Sequence, residues 1–361
     1  MLRILIAEDS PVIQRTLMAL LEGETGVQIV GVAANGREAL RLCHELHPDL
    51  VTMDIFMPEM DGLEATRRIM EECPTRIVII SAMVGDRDMS SSFEAMRAGA
   101  VEVIEKPHGV LAGNYSEVRQ SLSRLLRQVA VARPAAQLSW LPAAPSGRPS
   151  GLDRDSAPAA PPVESSVMRT LPEAFVPDVV CIGGSTGAPT VIVEVLSQLP
   201  ADYPYPIVVA QHIAKGFAAG FAAWLDSSMP LDVKVVAADD APRPGLVLVA
   251  PDSAHLEFEG PQAFRFVRPM DPRQHVPSIN SLFNSAVGVF GGGVLGVLLS
   301  GMGRDGADGL SAIYAAGGVT LAQDEETSVV YGMAKVAHDE GAVMALVSPA
   351  RLAEALLAFA R

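Results

Sequence analysis

The chain has 361 residues, 49% hydrophobic and 19% charged, with 31 Gly and 27 Pro, the make-up of a globular protein long enough for two separate cores. Its formal net charge is −15 and it offers no basic patch, which speaks against a nucleic-acid partner, because Lys and Arg clusters carry phosphate affinity. Cys43, Cys73 and Cys181 are odd in number and far apart in sequence, so they suit neither a disulfide framework nor a metal site and fit a reducing, cytoplasmic compartment.

The N-terminal MLRILIAEDS reads as a first strand and lacks the basic, apolar, small-residue order of a signal peptide. ILIAED, VQIVGVAA, LVTMDI, RIVIISA and VEVIEK are strand candidates, alternating with helical patterns such as PVIQRTLMALLEG and GLEATRRIMEE; SEVRQSLSRLLRQVA closes the unit. This alternation predicts a five-stranded parallel sheet covered on both faces, a domain spanning about 1–125. The following segment, 126–177, is rich in Pro, Ala and Ser. It has too little apolar surface to offset its ordering entropy and is expected to be a flexible linker. Trp140 and Leu141 are its exceptions, either a docking spot or stray apolar residues of a solvated linker.

A second alternating unit is expected over 178–361. DVVCIGG, PIVVAQH, VLGVLLS and VTLAQ read as strands, with helices from about Thr190 to Leu199, across GFAAGFAAWL, at GLSAIYAAG and at the C-terminus. VKVVAA, GLVLVA, HLEFEG and FRFV, between residues 231 and 270, suit hairpins or edge strands. Val276–Gly303 carries no charge. Even so, Ile279, Leu282, Phe283, Ala286, Val287 and Phe290 follow helical spacing, and Gly291–Gly293 then ends that helix, so a buried helix followed by a strand is expected instead of a membrane span.

Acids and their partners fall at strand ends. Glu8 and Asp9 follow the first strand, Asp54 the third, Ser81 ends the fourth and Lys106 follows the fifth. The carboxyl ends of parallel strands open onto one crevice. Three carboxylates there suit a hard divalent ion, normally Mg²⁺, while Lys106 and Ser81 could receive a phosphoryl group on Asp54. In the second unit, Gly183-Gly184-Ser185-Thr186-Gly187 lies between an apolar strand and a helix. Its glycines allow a sharp turn that exposes the Ser185 hydroxyl, or equally a phosphate cradle. A Walker Lys and a complete Gly-x-Gly-x-x-Gly are missing, which weakens the nucleotide reading. His212 ends the next strand, and Asp305 lies beyond a later one, with Asp308 a rival on spacing alone. Ser, His and Asp at strand ends can meet in one crevice whatever their order in the chain. His255, His275 and His338 read as structural or solvated.

AEDS, MDIFMPEMDG, IISA and EKP make residues 2 to about 125 resemble response-regulator receivers. The resemblance implies a flavodoxin-like fold, Asp54 as phosphoacceptor, and Mg²⁺ held by Glu8, Asp9, Asp54 and the backbone carbonyl of Phe56, with Ser81 and Lys106 sensing the phosphoryl group. Two positions depart from the pattern. Glu8 stands where many receivers have Asp, and Val103 where many carry an aromatic that rotates on activation. CIGGSTGAP, AQHIAKGF, HVPSINSLFNSA, LLSGMGRDGADG and AQDEETSVVYGMAKVA resemble the catalytic domain of chemotaxis response-regulator protein-glutamate methylesterases.

That second resemblance implies a doubly wound, mostly parallel α/β hydrolytic domain with Ser185 as nucleophile, His212 as base and Asp305 as orienting acid. It places the backbone N–H of Met302 in an oxyanion hole and needs no cofactor at the triad. It further implies a histidine kinase as phosphodonor and methylated chemoreceptors as substrate, with methanol release from glutamate γ-methyl esters and deamidation of receptor glutamines, by a cytoplasmic protein not inserted in the membrane. Ala188, Asn280 and Ala334-Lys335 depart from the family pattern and are expected on the substrate side. Two competing classes are a phospho-dependent binding module of a non-chemotaxis pathway and a DNA-binding regulator. Ten Lys and Arg against nineteen Asp and Glu in 178–361 count against the latter.

Overall fold

The computed structural model describes residues 1–81, 93–107, 115–130, 175–270 and 274–360, with side chains at all of these but 117, 121 and 128. The first unit consists of β1 (Leu2–Ala7), α1 (Pro11–Leu21), β2 (Val27–Ala33), α2 (Gly36–Leu46), β3 (Leu50–Met53), α3 (Gly62–Glu72), β4 (Arg76–Ser81), β5 (Glu102–Glu105) and α4 (Tyr115–Ala130). Its sheet is parallel throughout, in the order β2-β1-β3-β4-β5. The strand period of two explains how it is covered. Ile4 and Ile6 of β1 join a core with Leu17, Leu20, Leu122 and Leu126 of α1 and α4; Leu5 and Ala7 join Ala39, Leu40, Ala65 and Ile69 of α2 and α3.

Local chemistry sets the helix starts. Asn35 accepts the Glu38 N–H at 2.8 Å while the Glu38 carboxylate accepts the Ala34 N–H, and Asp61 accepts the Glu64 N–H, so donors orphaned at each N-terminus find partners. The expected boundary at 125 falls inside α4, which continues through Ala130 because Leu126 and Val129 are still buried. Residues 131–174, with Trp140 and Leu141, lie outside the described residues. At the far end of that segment Phe175 packs edge-on against Phe359, ring centres 5.5 Å apart.

The second unit runs β6 (Val179–Gly184), α5 (Ala188–Leu196), β7 (Ile207–Gln211), α6 (Ala218–Ser228), β8 (Asp232–Val235), β9 (Leu246–Val249), β10 (His255–Gly260), β11 (Ala263–Val267), α7 (Ile279–Phe290), β12 (Val294–Leu298), α8 (Ala307–Ala315), β13 (Val319–Gln323), α9 (Met333–Asp339), β14 (Ala345–Val347) and α10 (Pro349–Phe359). Its seven-stranded sheet, β14-β13-β12-β6-β7-β9-β8, is parallel at every pairing. β10 and β11 form a separate antiparallel hairpin.

One strand contradicts its sequence reading. GLVLVA was expected in a hairpin or at an edge, yet β9 is interior, between β7 and β8, and every residue of it is buried. An uninterrupted apolar run is what a strand covered on both faces requires. The helix expected from Thr190 to Leu199 begins at Ala188 and stops at Leu196, and α9 and β14 had no counterpart among the expected elements. The charge-free stretch is a helix and a strand, with Ile279, Leu282, Phe283 and Ala286 buried. Among the described residues no helix is long and apolar enough to cross a membrane.

The two units touch. Phe93 stacks on Trp224 of α6 at 5.4 Å and lies 5.8 Å from Phe221, while Val329 and Val330 from the loop after β13 join the cluster of Val101, Leu122 and Leu126.

A backbone constraint positions the acid at the end of β3. The Gly62 N–H donates to the Ile55 carbonyl at 2.7 Å, and a β-carbon at Gly62 would lie 2.0 Å from the Asp54 carbonyl oxygen. Gly62→Ala must therefore push α3 away from the Asp54 loop. We expect it to lower stability by about 1–3 kcal/mol, the range for overpacking a tight site, measured by urea denaturation, and to slow phosphorylation from a small donor.

Candidate active site and phosphoacceptor site

Both sites lie where the sheets change direction. In the first unit β1 and β3 are neighbours and the chain winds outward to either side of them, which leaves a crevice at their carboxyl ends. The Glu8 N–H donates to Ala33 O and the Asp54 N–H to Ala7 O, so the acids stand just beyond paired strands. Carboxylate oxygens of Glu8, Asp9 and Asp54 lie within 4.8 Å of one another. Lys106 Nζ is 2.8 Å from Asp54 and 2.9 Å from Glu8, and the Lys106 N–H bonds to Ser81 O at 2.9 Å.

Burial pushes the Asp54 carboxyl above the usual range, with Asp9 adding to it and Lys106 opposing. Burial and the Asp54 charge raise Glu8 in the same way. Burial would disfavour the Lys106 ammonium, but Asp54 and Glu8 hold it above the ordinary lysine range. Three carboxylates against one ammonium leave an excess of two negative charges. An all-oxygen donor set with that imbalance fits a hard divalent cation. Phe56 is half-exposed beside this loop, and Val103 is buried in β5 opposite Ile79.

In the second unit the chain starts at β6 and winds to both sides, making the β12–β6–β7 trio the switch point. Registers there align Leu298 with Gly183 and Gly184 with Gln211. Ser185 and His212 thus follow paired residues on neighbouring strands. The His212 N–H donates to Gly184 O at 2.9 Å, and the Gln211 side-chain amide donates to the carbonyls of both Ser185 (2.9 Å) and His212 (3.0 Å). Gln211 thus ties the two candidate residues together, a position that sequence reasoning missed; a buried amide at a strand end beside them was the available signal. Close approach is possible from the other side because residue 301 is glycine. A β-carbon there would come within 2.6 Å of Ser185 Cβ, and half-exposed Met302 follows it.

His212 Nε2 lies 2.8 Å from Asp305 Oδ2. Asp305 also accepts the Ile279 and Asn280 N–H groups at 2.8 and 3.0 Å and the Ser278 hydroxyl at 3.1 Å, at the N-terminus of α7. Burial alone would raise this carboxyl, but the hydrogen bond and charge of His212, with the two N–H donors, hold it below the usual range. It is therefore an acceptor-only carboxylate, and His212 Nε2 must carry the proton between them. His212 Nδ1 is buried with no hydrogen-bond partner among the described residues. Asp308, the rival on spacing, is exposed and paired with Arg304 instead of meeting His212.

His255 is structural, its Nδ1 accepting the Ser278 N–H at 3.0 Å, and His338 is exposed. The His275 ring lies on that of His212, centres 4.5 Å apart and planes within 10°. It borders an open cavity of about 500 Å³ between the hairpin and α7. The departures expected on the substrate side divide. Asn280 borders that cavity, but its carbonyl accepts the Gly306 and Gly309 N–H groups and so holds the Asp305 loop. Ala188 and Ala334 are buried, and Lys335 pairs with Asp339 on the surface. The first unit reaches this site as well. The hydroxyl of Thr186, next to Ser185, donates to the Glu102 carboxylate of β5 at 2.8 Å.

Fold and geometry define a two-unit α/β protein, one parallel sheet ending in an acidic cluster and the other in a serine turn beside a His–Asp pair. Residues 4–111 match the response regulator receiver domain family, and 180–356 match the CheB methylesterase family. The chain is 40% identical to protein-glutamate methylesterase/protein-glutamine glutaminase 4 of Myxococcus xanthus over 96% of this chain and 95% of the relative. It is 36% identical to the corresponding protein 1 of Syntrophus aciditrophicus over 100% and 99%. Among solved structures it is similar to the Thermotoga maritima CheB methylesterase catalytic domain, with 31% identity, 51% of this chain and 98% of that chain covered, and a TM-score of 0.48. The chain belongs to the protein-glutamate methylesterase/protein-glutamine glutaminase family, and this membership favours a hydrolase over a binding module or a DNA-binding regulator.

The orienting role divides the two acids in a measurable way. Asp305→Asn should keep the His212 contact but favour the wrong tautomer, lowering kcat by roughly 10³–10⁴-fold. Asp308→Asn should stay within about threefold of wild type, the behaviour of an exposed ion pair. Steady-state ester hydrolysis by both variants checks this.

Proposed function

We propose that the chain hydrolyses glutamate γ-methyl esters on methylated chemoreceptors, releasing methanol, and deamidates receptor glutamines with the same groups. The observation that carries the reading is the His212–Asp305 hydrogen bond beside the Ser185 turn. His212 Nδ1 takes the Ser185 hydroxyl proton as Oγ attacks the ester carbonyl. The Met302 N–H faces the developing oxyanion, and the proton passes from His212 to the departing methoxide. Water then repeats the sequence on the acyl-enzyme. An amide substrate differs only in releasing ammonia. These steps need neither a metal nor an organic cofactor at the triad, because His212 supplies the proton transfer and backbone donors the electrostatics.

The unit that ends with α4 and the unit from 178 onward act as receiver and catalytic domains joined by the segment between them, in a cytoplasmic protein. A histidine kinase supplies the phosphoryl group to Asp54. Glu8, Asp9, Asp54 and the Phe56 carbonyl would hold Mg²⁺, which offsets phosphoryl charge, while Lys106 and Ser81 bind the phosphoryl oxygens. The receiver restrains the catalytic turn through the Glu102–Thr186 hydrogen bond and the Phe93–Trp224 stack, and phosphorylation loosens both. Val103 has no aromatic ring to rotate, so the change must pass through β5 itself to Glu102, the preceding residue.

Methanol release from methylated receptor preparations tests the chemistry. Ser185→Ala and His212→Ala should each lose on the order of 10⁴-fold or more in turnover, and the double variant should be scarcely worse. Near-native release by folded Ser185→Ala refutes the nucleophile. Phosphodonor with Mg²⁺ should raise wild-type activity but leave Asp54→Asn unchanged, and chelation should remove the stimulation while sparing basal release.

The restraint carries a pH signature. Burial pushes the Glu102 carboxyl from 4.5 up to about 7 despite the Thr186 hydrogen bond. The closed arrangement therefore holds an extra proton. Its advantage is complete below about pH 4.5 and is lost as pH climbs through about 7. The ratio of unphosphorylated to phosphorylated activity should rise between pH 6 and 8.5 in wild type and stay flat and low in Glu102→Gln. An equal rise in the variant eliminates Glu102 as the latch.

A further inference from the structure

The segment that leads into α7 does two things to the triad at once. Its Ser278 hydroxyl and the N–H groups of Ile279 and Asn280 hold Asp305. Three residues before Ser278, the His275 ring lies against His212, ring centres 4.5 Å apart and planes within 10° of parallel. His212 is thus gripped at its edge by a carboxylate and on its face by a second imidazole. Its side chain is 7% exposed, while His275 opens onto the cavity of about 500 Å³. A parallel stack leaves His212 free to slide in its plane but not to tilt, and tilt is what would break the alignment of Nε2 with Asp305.

We propose that His275 is a positioning residue for ester hydrolysis, its ring fixing the plane of His212 and stabilising the imidazolium while the Ser185 proton rests on it. A cation held over an aromatic face is attracted by the ring quadrupole, and the attraction grows as the charge develops, so it favours the transition state over the resting state. This works only while His275 itself is uncharged. Its surroundings push in that direction. Partial burial comes first, then the neighbouring His212, and together with Arg124 on α4 they hold His275 below the ordinary histidine range, with Asp305 pulling the other way. Among the described residues, Glu257, Arg268 and Arg304 are the other charged groups on the cavity His275 borders. The proposal rests on His212 being the base, and it makes His275 a second condition on that base.

The test uses the full-length chain with Mg²⁺ and a small phosphodonor, methylated receptor preparations as substrate, and four variants. His275→Ala and His275→Gln lose the ring; His275→Phe keeps an aromatic face that cannot titrate; His212→Ala tests the underlying reading. Thermal melting identifies the folded variants, and His275→Gln stands in should His275→Ala fail to fold. Loss of the face should lower kcat by about 10-fold, the scale of a desolvated cation–π contact, with KM within about twofold. The same loss removes stabilisation of the protonated base, so the acid limb of the kcat profile should move to lower pH. His275→Phe should restore most of kcat and return the limb. Wild-type kcat and limb in His275→Ala overturn the proposal, and so does a His275→Phe variant as impaired as His275→Gln. Near-native activity in His212→Ala would instead overturn the base assignment, which separates the two failures.

Discussion

Everything chemical in this molecule depends on parallel strands ending level with one another. At the centre of the second sheet, β12, β6 and β7 are paired without a slip, Leu298 beside Gly183 and Gly184 beside Gln211. A shift of one residue along any of them would turn each side chain to the opposite face, and Ser185 and His212 would no longer leave the sheet side by side. Register is secured by strands buried on both faces, which tolerate no exchange of inward and outward positions. The first sheet uses the same device, with Ala7 beside Met53, so that Glu8 and Asp54 emerge together.

Three carboxyl groups show how position beyond the strand ends sets charge. Asp305 receives two backbone N–H groups, a hydroxyl and an imidazole, and these outweigh its burial, so it stays ionised. Glu102, between the domains, has a single hydroxyl and its own segment's N–H to set against burial, and the neutral form is favoured. Asp54 is intermediate, raised by burial and by Asp9 but offered one ammonium. The number of donors aimed at each carboxylate decides the outcome, because the charged form needs replacements for the water it has lost. One acid is thereby suited to orienting a base, one to sensing closure, and one to sharing a cation.

Contacts between the domains bear on the same turn. Thr186 follows the nucleophile directly and is hydrogen-bonded to Glu102, which precedes Val103 at the switch position of β5. Structural change in the receiver therefore has a short path to Ser185, through one hydrogen bond and two covalent neighbours. The apolar part of the interface, Phe93 on Trp224 and Val329 with Val330 against the α4 cluster, supplies contact area that is not itself sensitive to charge.

Sequence alone determined the two-sheet α/β plan, the strand ends and the residues standing at them. Continuous apolar runs, helical spacing and glycine-flanked turns are local signals, and Glu8, Asp54, Ser185, His212 and Asp305 could be picked out because each lies just past such a run. It also determined that Val276–Gly303 is core, since its asparagines and glycines interrupt a membrane pattern. What it could not carry was any relation between residues distant along the chain. GLVLVA suits a hairpin or an edge on its own because sheet order is not written in a short run, and β9 is interior because it returns between β7 and the earlier strand β8. Asp305 and Asp308 were equal on spacing until the α7 terminus supplied donors to one of them. His275, Gln211 and Glu102 gained their meaning from a ring stack, a bridging amide and a cross-domain hydrogen bond spanning 63, 26 and 84 residues. Such contacts form between side chains that only packing brings together, and for that reason they were decided by the tertiary structure.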